Sequence, residues 1–391
     1  MTELDYIYTG GLPNINASSV HVAHFSEALA SEFQFRLFSY LDAEIEDIYK
    51  KYNIIEKFPI RNVFGNKFIF ILYLILANQL KKTVYTRDFF CAFLLGVLGK
   101  RVIWESHIRE KRFVYIVGYK LASRLKLFFK VVAITHALQN QLGAYFQSTS
   151  IVVLPDGCRE QSVKKKYYSR NVLTVGYVGS FHAGKGVDIV IELAKSMPEH
   201  KFMIAGGTDE QVAEAKARAP RNIEFSGYLT QAQLVEFYEK LDVGLLPNSP
   251  SVRIYDDGQE IGDVTSPLKL FEYFSFELPI VASDLPVLRE VLNDTNSILV
   301  AHNDIGGWAR AISRLEDVEL RKTLSTNGLK EFKKSYSDYK KNMQNSIETE
   351  LQSTSKDITS NLELIIAYIN KHQEVKTIYN SYKLLLKKLL E

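Results

Sequence analysis

The chain has 391 residues, of which 46% are hydrophobic and 24% charged, and its formal net charge is +3. That length is too great for one core and suits two α/β domains, and the composition is that of an ordinary globular protein. The charge is too small to argue for a nucleic-acid partner, and the two cysteines, Cys91 and Cys158, make neither a disulfide framework nor a metal-ligand spacing. Met1–Asp5 does not lead from a basic segment into an apolar one, so no signal peptide is expected. The most apolar stretch, Phe68 to Ala77, is shorter than the roughly 20 residues that a membrane span requires. The expectation is a soluble, cytoplasmic protein that can still touch the inner face of the cell membrane.

Strand-like and helical runs alternate from the start. Asp5–Tyr8 reads as a short strand running into a Gly10-Gly11 loop, and Ser19–Ser31 as the helix after it. Phe35–Tyr40 is strand-like, 67–81 helical, Val84-Tyr85 a short strand and Phe89–Leu98 a helix. Arg101–Trp104, Val131–Ile134 and Ile151–Leu154 read as strands, the last stopping at Pro155-Asp156-Gly157. The basic segment 164–171 is the expected linker. Beyond it the pattern resumes: strands at Leu173–Val178, Lys201–Ala205, Ile223–Ser226, Val243–Leu246 and Pro279–Ala282, with helices at Val187–Lys195, Gln231–Leu241 and Phe271–Phe276. After Tyr336 the chain is polar with apolar residues at helical spacing, through Leu362, Ile365 and Ile369. This rhythm predicts an α/β protein with parallel sheets covered on both faces, divided into domains at 1–165 and 171–345 with a helical tail at 346–391.

Two segments carry chemistry. Thr265-Ser266-Pro267-Leu268-Lys269-Leu270-Phe271-Glu272 is a polar loop, a proline suited to a first helical turn, and a short helix with one carboxylate. Free amides and the helix dipole at such a start favour an anion, and Glu272 lies where a carboxylate can accept hydrogen bonds from a diol. Gly176-Tyr177-Val178-Gly179-Ser180 through Gly184-Lys185-Gly186 is a strand, a glycine-rich turn with one lysine and then a helix, which suits a diphosphate. Taken alone, Lys185 reads equally well as a solvated loop lysine.

In order, that turn, Ile204-Ala205-Gly206-Gly207, Phe225-Ser226-Gly227-Tyr228-Leu229, Leu241–Pro247 and the Glu272 segment resemble the nucleotide-sugar domain of retaining family-4 glycosyltransferases (glycosyl transferases group 1), strongly over 171–300. The resemblance implies the GT-B architecture: two Rossmann-like domains facing across a cleft, with the tail crossing back to the first. It implies a hexosyl transferase that needs no cofactor, with a nucleoside-diphosphate sugar of UDP or GDP type as donor. A saccharide or lipid-linked acceptor would be held by the first domain, in bacterial surface-polysaccharide or glycolipid assembly. Lys185 then resembles the diphosphate-binding lysine, with Gly179 and Ser180 in its turn. Gly227, Tyr228 and Leu229 resemble the turn that reads the base. Ser266, Pro267, Leu268 and Lys269 lie where the family contacts the β-phosphate and donor sugar, and Glu272 matches the carboxylate that holds the ribose. Two positions depart from the family: Ser180 stands where an arginine is usual, and Val264 where a glutamate is common. Asp263 beside Val264 is a candidate substitute, and Lys269 a candidate replacement charge.

In the first half, Gly11 falls where the family has its glycine loop, and a turn needing φ > 0 explains it equally. Trp104-Glu105-Ser106-His107 resembles a family motif in which the histidine bonds the donor sugar and its phosphate, which makes His107 and Glu272 the candidate catalytic residues. Glu105 has a weaker claim, and His21, His24, His136 and His182 are expected to be structural or solvated. No Asp-x-Asp pair occurs, which argues for diphosphate departure assisted by Lys185, amides and the helix dipole. Between Lys111 and Lys130 the residues Val114, Val117, Leu121, Leu125 and Phe128 fall on one helical stripe, with Lys120, Arg124 and Lys130 off it. The stripe suits either an anionic membrane surface or packing on the sheet. A catalytically silent nucleotide-sugar-binding subunit and a nucleotide-sugar epimerase of the same architecture stay open as alternatives.

Overall fold

A computed structural model of the chain describes residues 3–14, 16–63, 83–159, 161, 172–252, 260, 262–264, 266 and 268–348. The first domain holds strands β1 (Glu3–Leu12), β2 (Gln34–Leu41), β3 (Ile60–Asn62), β4 (Thr83–Thr86), β5 (Arg101–Ser106), β6 (Phe128–Ala133) and β7 (Ile151–Val153). They form one sheet in the order β3-β2-β1-β4-β5-β6-β7, parallel throughout. Its helices are α1 (Ala17–Glu32), α2 (Ile45–Lys51), α3 (Phe89–Val97), α4 (Phe113–Leu125) and α5 (His136–Leu142). Val84, Val102 and Val131 bury side chains in the α3/α4 core, while Tyr85, Ile103 and Val132 bury theirs in the α1 core. Adjacent residues therefore serve opposite layers, which is why these strands read as continuous apolar runs.

The second domain repeats the design. β8 (Thr174–Val178), β9 (Lys201–Ala205), β10 (Ile223–Gly227), β11 (Val243–Leu246), β12 (Ile280–Ser283) and β13 (Ser297–Val300) form a parallel sheet in the order β10-β9-β8-β11-β12-β13. Helices α6 (Val187–Ser196), α7 (Asp209–Arg218), α8 (Gln231–Lys240), α9 (Leu268–Ser275), α10 (Ile305–Arg314) and α11 (Val318–Glu348) complete it. The expected two Rossmann-like domains are present. In each, the strand order reverses beside the first strand, at β1/β4 and at β8/β11, and ligands of such sheets bind outside the carboxyl ends at that point.

The fold departs from expectation in definite places. β1 runs on to Leu12, so Gly10 and Gly11 end the strand instead of forming a loop, and the register with β2 slips between Tyr8 and Leu12. Gly11, with φ +71°, lies within that slip. The helical stripe between Lys111 and Lys130 is cut short. Lys126 adopts a left-handed conformation at the end of α4, and Phe128 and Lys130 belong to β6, whose β-branched and aromatic residues favour a strand. α2, β3, α5, α7, β13 and α10 had no counterpart in the sequence pattern. The 67–81 helix, the 164–171 linker and the tail pattern after residue 348 lie outside the described residues.

Candidate active site

The wall contributed by the second domain is mostly main chain. Gly179 continues the ladder beyond β8 by donating its N–H to Ala205 O at 3.0 Å, and Gly206 N–H donates to Gly227 O at 2.7 Å. Gly206 has φ +119°, and a Cβ there would lie 1.9 Å from Gly179 O, so no other residue lets the ends of β8 and β9 meet. Gly186, with φ +88°, precedes α6 and would drive a Cβ to 2.1 Å from Pro247 O. The 180–186 turn is thereby pressed on the loop that follows β11, and among the described residues no side chain caps the first amides of α6. Lys185 lies in this turn, partly buried. Burial pulls its pKa down, and among the described residues no carboxylate pairs with its ammonium. A desolvated cation beside uncapped amides is a site for an anion.

Glu272 lies on α9 and is 7% exposed. Its Oε2 accepts from Tyr238 Oη and, at 2.7 Å, from Lys269 Nζ, while Oε1 has no hydrogen-bond partner among the described residues. One oxygen is therefore left to accept from a ligand, and Lys269 is already an ion-pair partner of the carboxylate. Ser266 Oγ accepts from the N–H of Asp156 at 3.2 Å, and Leu268 opens α9. Pro267 lies outside the described residues. Tyr228 is exposed at the end of β10, Leu229 is partly buried against the α8/α9 core, and the Ser180 carbonyl accepts from Tyr177 Oη. Asp263 does not stand in for the missing glutamate, because its carboxylate accepts from Gln141 Nε2 at 2.9 Å. Val264 is buried in the first domain's α3/α4 core, where a glutamate would lose its hydration.

The wall contributed by the first domain is built from side chains. Glu105, 3% exposed at the end of β5, takes His107 Nε2 on Oε1 and Tyr85 Oη on Oε2, with Arg87 Nε 3.3 Å from Oε1. Burial resists its ionisation, but the facing His107, Arg87 and His21 outweigh burial and hold its carboxyl well below the usual carboxylate range. The Glu105–His107 pair fixes the imidazole at the carboxyl end of the sheet, where the sequence placed it. His21 was expected to be structural or solvated. It is buried on α1 with Nε2 3.9 Å from Glu105 Oε1 and Nδ1 3.5 Å from Asp156 Oδ1. Burial lowers its pKa to about 4 despite both carboxylates, so it is neutral at pH 7. His24 Nε2 faces Tyr52 O at 2.8 Å. Sequence reasoning did not bring His21, Arg87 and Asp156 together, because they come from three separated segments and share no spacing.

The two walls are fastened to each other. Glu290 accepts from the N–H groups of His136 and Ala137 at 2.7 and 2.8 Å, Thr135 Oγ1 donates to Val264 O at 3.1 Å, and Asp156 reaches Ser266. A cavity of about 410 Å³ opens between α1, the 155–159 crossover, α9 and α11, with Asp156 and His21 in its lining. The arrangement can hold a diphosphate on one side, hydrogen-bond hydroxyls through Glu272, and present the His107 imidazole from the other.

Comparison with known proteins agrees with the two-domain fold. Residues 172–317, most of the second domain, match the family model for glycosyl transferases group 1. An uncharacterized glycosyltransferase of Methanocaldococcus jannaschii is 25% identical over 359 residues, covering 86% of this chain and 93% of the relative. The alpha-galactosylglucosyldiacylglycerol synthase of Streptococcus pneumoniae is 29% identical over 132 residues, about a third (32%) of either chain. HepE of Anabaena, solved with UDP-glucose, superposes with a TM-score of 0.68 at 12% identity over 88% of this chain and 99% of its own, which shows the shared GT-B fold.

Proposed function

We propose that this chain is a glycosyltransferase that moves a sugar from a nucleoside-diphosphate sugar of UDP or GDP type to an acceptor hydroxyl with retention of anomeric configuration. The observation that carries the reading is Lys185: a partly buried ammonium with no carboxylate partner among the described residues, set in a glycine cradle beside uncapped amides. An anion would restore what the lysine loses on burial, and a departing diphosphate is such an anion. Glu272 Oε1 would accept from the ribose hydroxyls, with Lys269 holding the other oxygen. Gly11, Gly227, Tyr228 and Leu229 would flank the nucleotide, and His107 would face the reacting sugar. In the transfer, the bond from C1 to the phosphate oxygen breaks and the acceptor oxygen bonds C1 on the same face. Its proton passes to the leaving diphosphate, and no divalent ion takes part.

The acceptor is a saccharide or lipid-linked glycan in a bacterial surface polysaccharide or glycolipid, reached from the cytoplasm. No helix of the described residues is long and apolar enough to cross a membrane. Exposed Phe113, Lys120, Arg124 and Lys126 on and after α4 give a peripheral contact with anionic lipid a chemical basis.

The test is a panel of UDP- and GDP-sugars with glycan and lipid acceptors, following nucleoside diphosphate release and the anomeric configuration of the product. Acceptor-dependent release with retention, unaffected by a chelator, is expected. Inversion would remove the retaining assignment, and interconversion of free donors would support the epimerase. Donor binding without turnover on any acceptor would favour the silent subunit, the reading that Val264 in place of a glutamate keeps alive.

A further inference from the structure

Five polar residues connect the two walls of the cleft, and His21, at the centre of them, has no role in the reading above. His21 Nε2 is 3.9 Å from Glu105 Oε1, the same oxygen that receives His107 Nε2. The His21 and His107 rings meet edge-on with centroids 6.0 Å apart. On its other side, His21 Nδ1 is 3.5 Å from Asp156 Oδ1. Both of those atoms are buried with no hydrogen-bond partner among the described residues. Two unsatisfied buried polar atoms that face each other are costly as they stand, and an approach of a few tenths of an ångström would make a charge-assisted hydrogen bond. Asp156 also gives its N–H to Ser266 Oγ, one residue pair ahead of α9 and Glu272. The chain of contacts therefore runs Ser266, Asp156, His21, Glu105, His107. It begins in the second domain and ends at the imidazole of the first.

We propose that His21 is a positioning residue for the transfer: it braces Glu105, and through it His107, against Asp156, so that the imidazole is aligned when the Ser266 segment is in place. The inference rests on the glycosyltransferase reading for its catalytic consequence, but the contacts themselves do not. Neutral His21 has one N–H and faces two carboxylates, so it can donate to only one of them, and its contact with the other is one of packing. Polar contacts of this length tighten into hydrogen bonds in the reactive complex. Arg87 and Tyr85 hold Glu105 from the remaining sides, so His21 supplies the contact that carries the position of the second domain.

The test uses the full-length protein with His21→Phe, His21→Gln and Asp156→Asn. Phenylalanine keeps the ring that stacks on Phe25 at 5.5 Å and removes both nitrogens. Asparagine at 156 keeps the backbone N–H for Ser266 and lies away from the His107 ring. The first readout is the imidazole nitrogen resonances of His107 in histidine-labelled protein, which need no substrate. Asp156→Asn should change the proton distribution of His107 even though it does not touch that ring. The second readout is turnover of the nucleotide sugar that the panel identifies. Both His21→Phe and Asp156→Asn should lower kcat by about 10- to 100-fold, as a misplaced catalytic group does, with donor KM and UDP affinity held within about twofold. His21→Gln, which returns an N–H near Glu105, should recover part of the loss. An unmoved His107 resonance in Asp156→Asn overturns the inference, as does a moved resonance with unchanged kcat, or a loss that falls on UDP affinity and melting temperature instead of kcat. A wild-type protein inactive on every donor would count against the proposed function while leaving the resonance readout to decide the contact.

Discussion

At the end of β8 the cleft is lined by main chain, with Gly186 and Gly206 bringing backbone against backbone around Lys185, whereas at the end of β5 it is lined by buried side chains, with Glu105 among Arg87, His107 and Tyr85. The first arrangement leaves a positive charge underpaired, and the second matches each charge with a neighbour. A cradle held by sterics can carry an unpaired cation because the fold does not depend on it. A cluster held by charge balance cannot lose a member, since the others stay buried without compensation. Changes on the two sides should accordingly separate stability from binding.

The largest effect is expected at Glu105. Its replacement by alanine leaves Arg87 facing a vacancy and should cost about 3–5 kcal/mol of unfolding free energy in urea titrations, the usual result of breaking a buried pair. Glu105→Gln, which keeps the shape and part of the hydrogen bonding, should cost less. A loss below about 1 kcal/mol in the alanine variant would mean that the cluster is more hydrated than its burial indicates.

Acid should act through the same cluster. His21 has its pKa lowered to about 4 in the fold from an ordinary 6.5, with burial as the leading cause and Asp156, Glu105, Arg87 and His107 facing it. The unfolded chain therefore binds the proton first. This contribution is intact above pH 6.5 and is lost as pH falls toward 4, a span worth about 3 kcal/mol. Glu105 has the same sign, since its depressed pKa makes it lose stability below the usual carboxylate range. The melting temperature should fall from pH 6.5 to 4 in the wild type and fall less in His21→Phe. Parallel curves would show that other groups carry the acid sensitivity.

On the opposite wall, Lys185→Ala should leave stability unchanged or raise it, because a desolvated ammonium without a partner is removed. UDP or GDP binding should weaken by about 1.5–3 kcal/mol, the range for a hydrogen bond to a charged group. Calorimetry with the free diphosphate measures this directly. A variant that unfolds more easily while binding nucleotide normally would reverse the contrast between the walls.

The same contrast explains which parts were legible in the sequence. β8 and the 179–186 turn, β9, β11 and the Glu272 helix were read close to their observed bounds, because a glycine-rich turn and its strand are adjacent in the chain and their chemistry is local. His107 was read as well, at the end of its strand. Its supporting cluster was not: Glu105 was given the weaker claim and His21 a structural or solvated role, because their partners come from α1, the β4 end and residue 156. Spacing carries no information about contacts of that kind. The stripe from Lys111 to Lys130 was misread for a related reason. Its periodicity continues past Lys126, but the left-handed turn there sends Phe128 and Lys130 into a sheet whose pairing with β5 overrides the helical pattern.

The smallest effect belongs to the seam between the walls. Thr135 caps α5 through Leu138 N–H, while the amides of His136 and Ala137 are taken by Glu290 of the other domain. A carboxylate at a helix start satisfies orphan amides and meets the favourable end of the dipole, which makes this contact a fastening between domains as well as a cap. Glu290 is exposed, so Glu290→Ala should cost no more than about 1 kcal/mol, at the level of a lost cap. Its signature should instead be geometric. With Thr135–Val264, Gln141–Asp263 and Asp156–Ser266 as the remaining described bonds across this seam, the distance between labels placed on α5 and α10 should lengthen or broaden in pulsed electron-spin measurements. UDP affinity should stay within about twofold if the cradle is complete within the second domain. An unchanged distance would show that the other bonds across the seam keep the cleft closed without Glu290, and a large loss of UDP affinity would show that the main-chain cradle depends on the first domain after all.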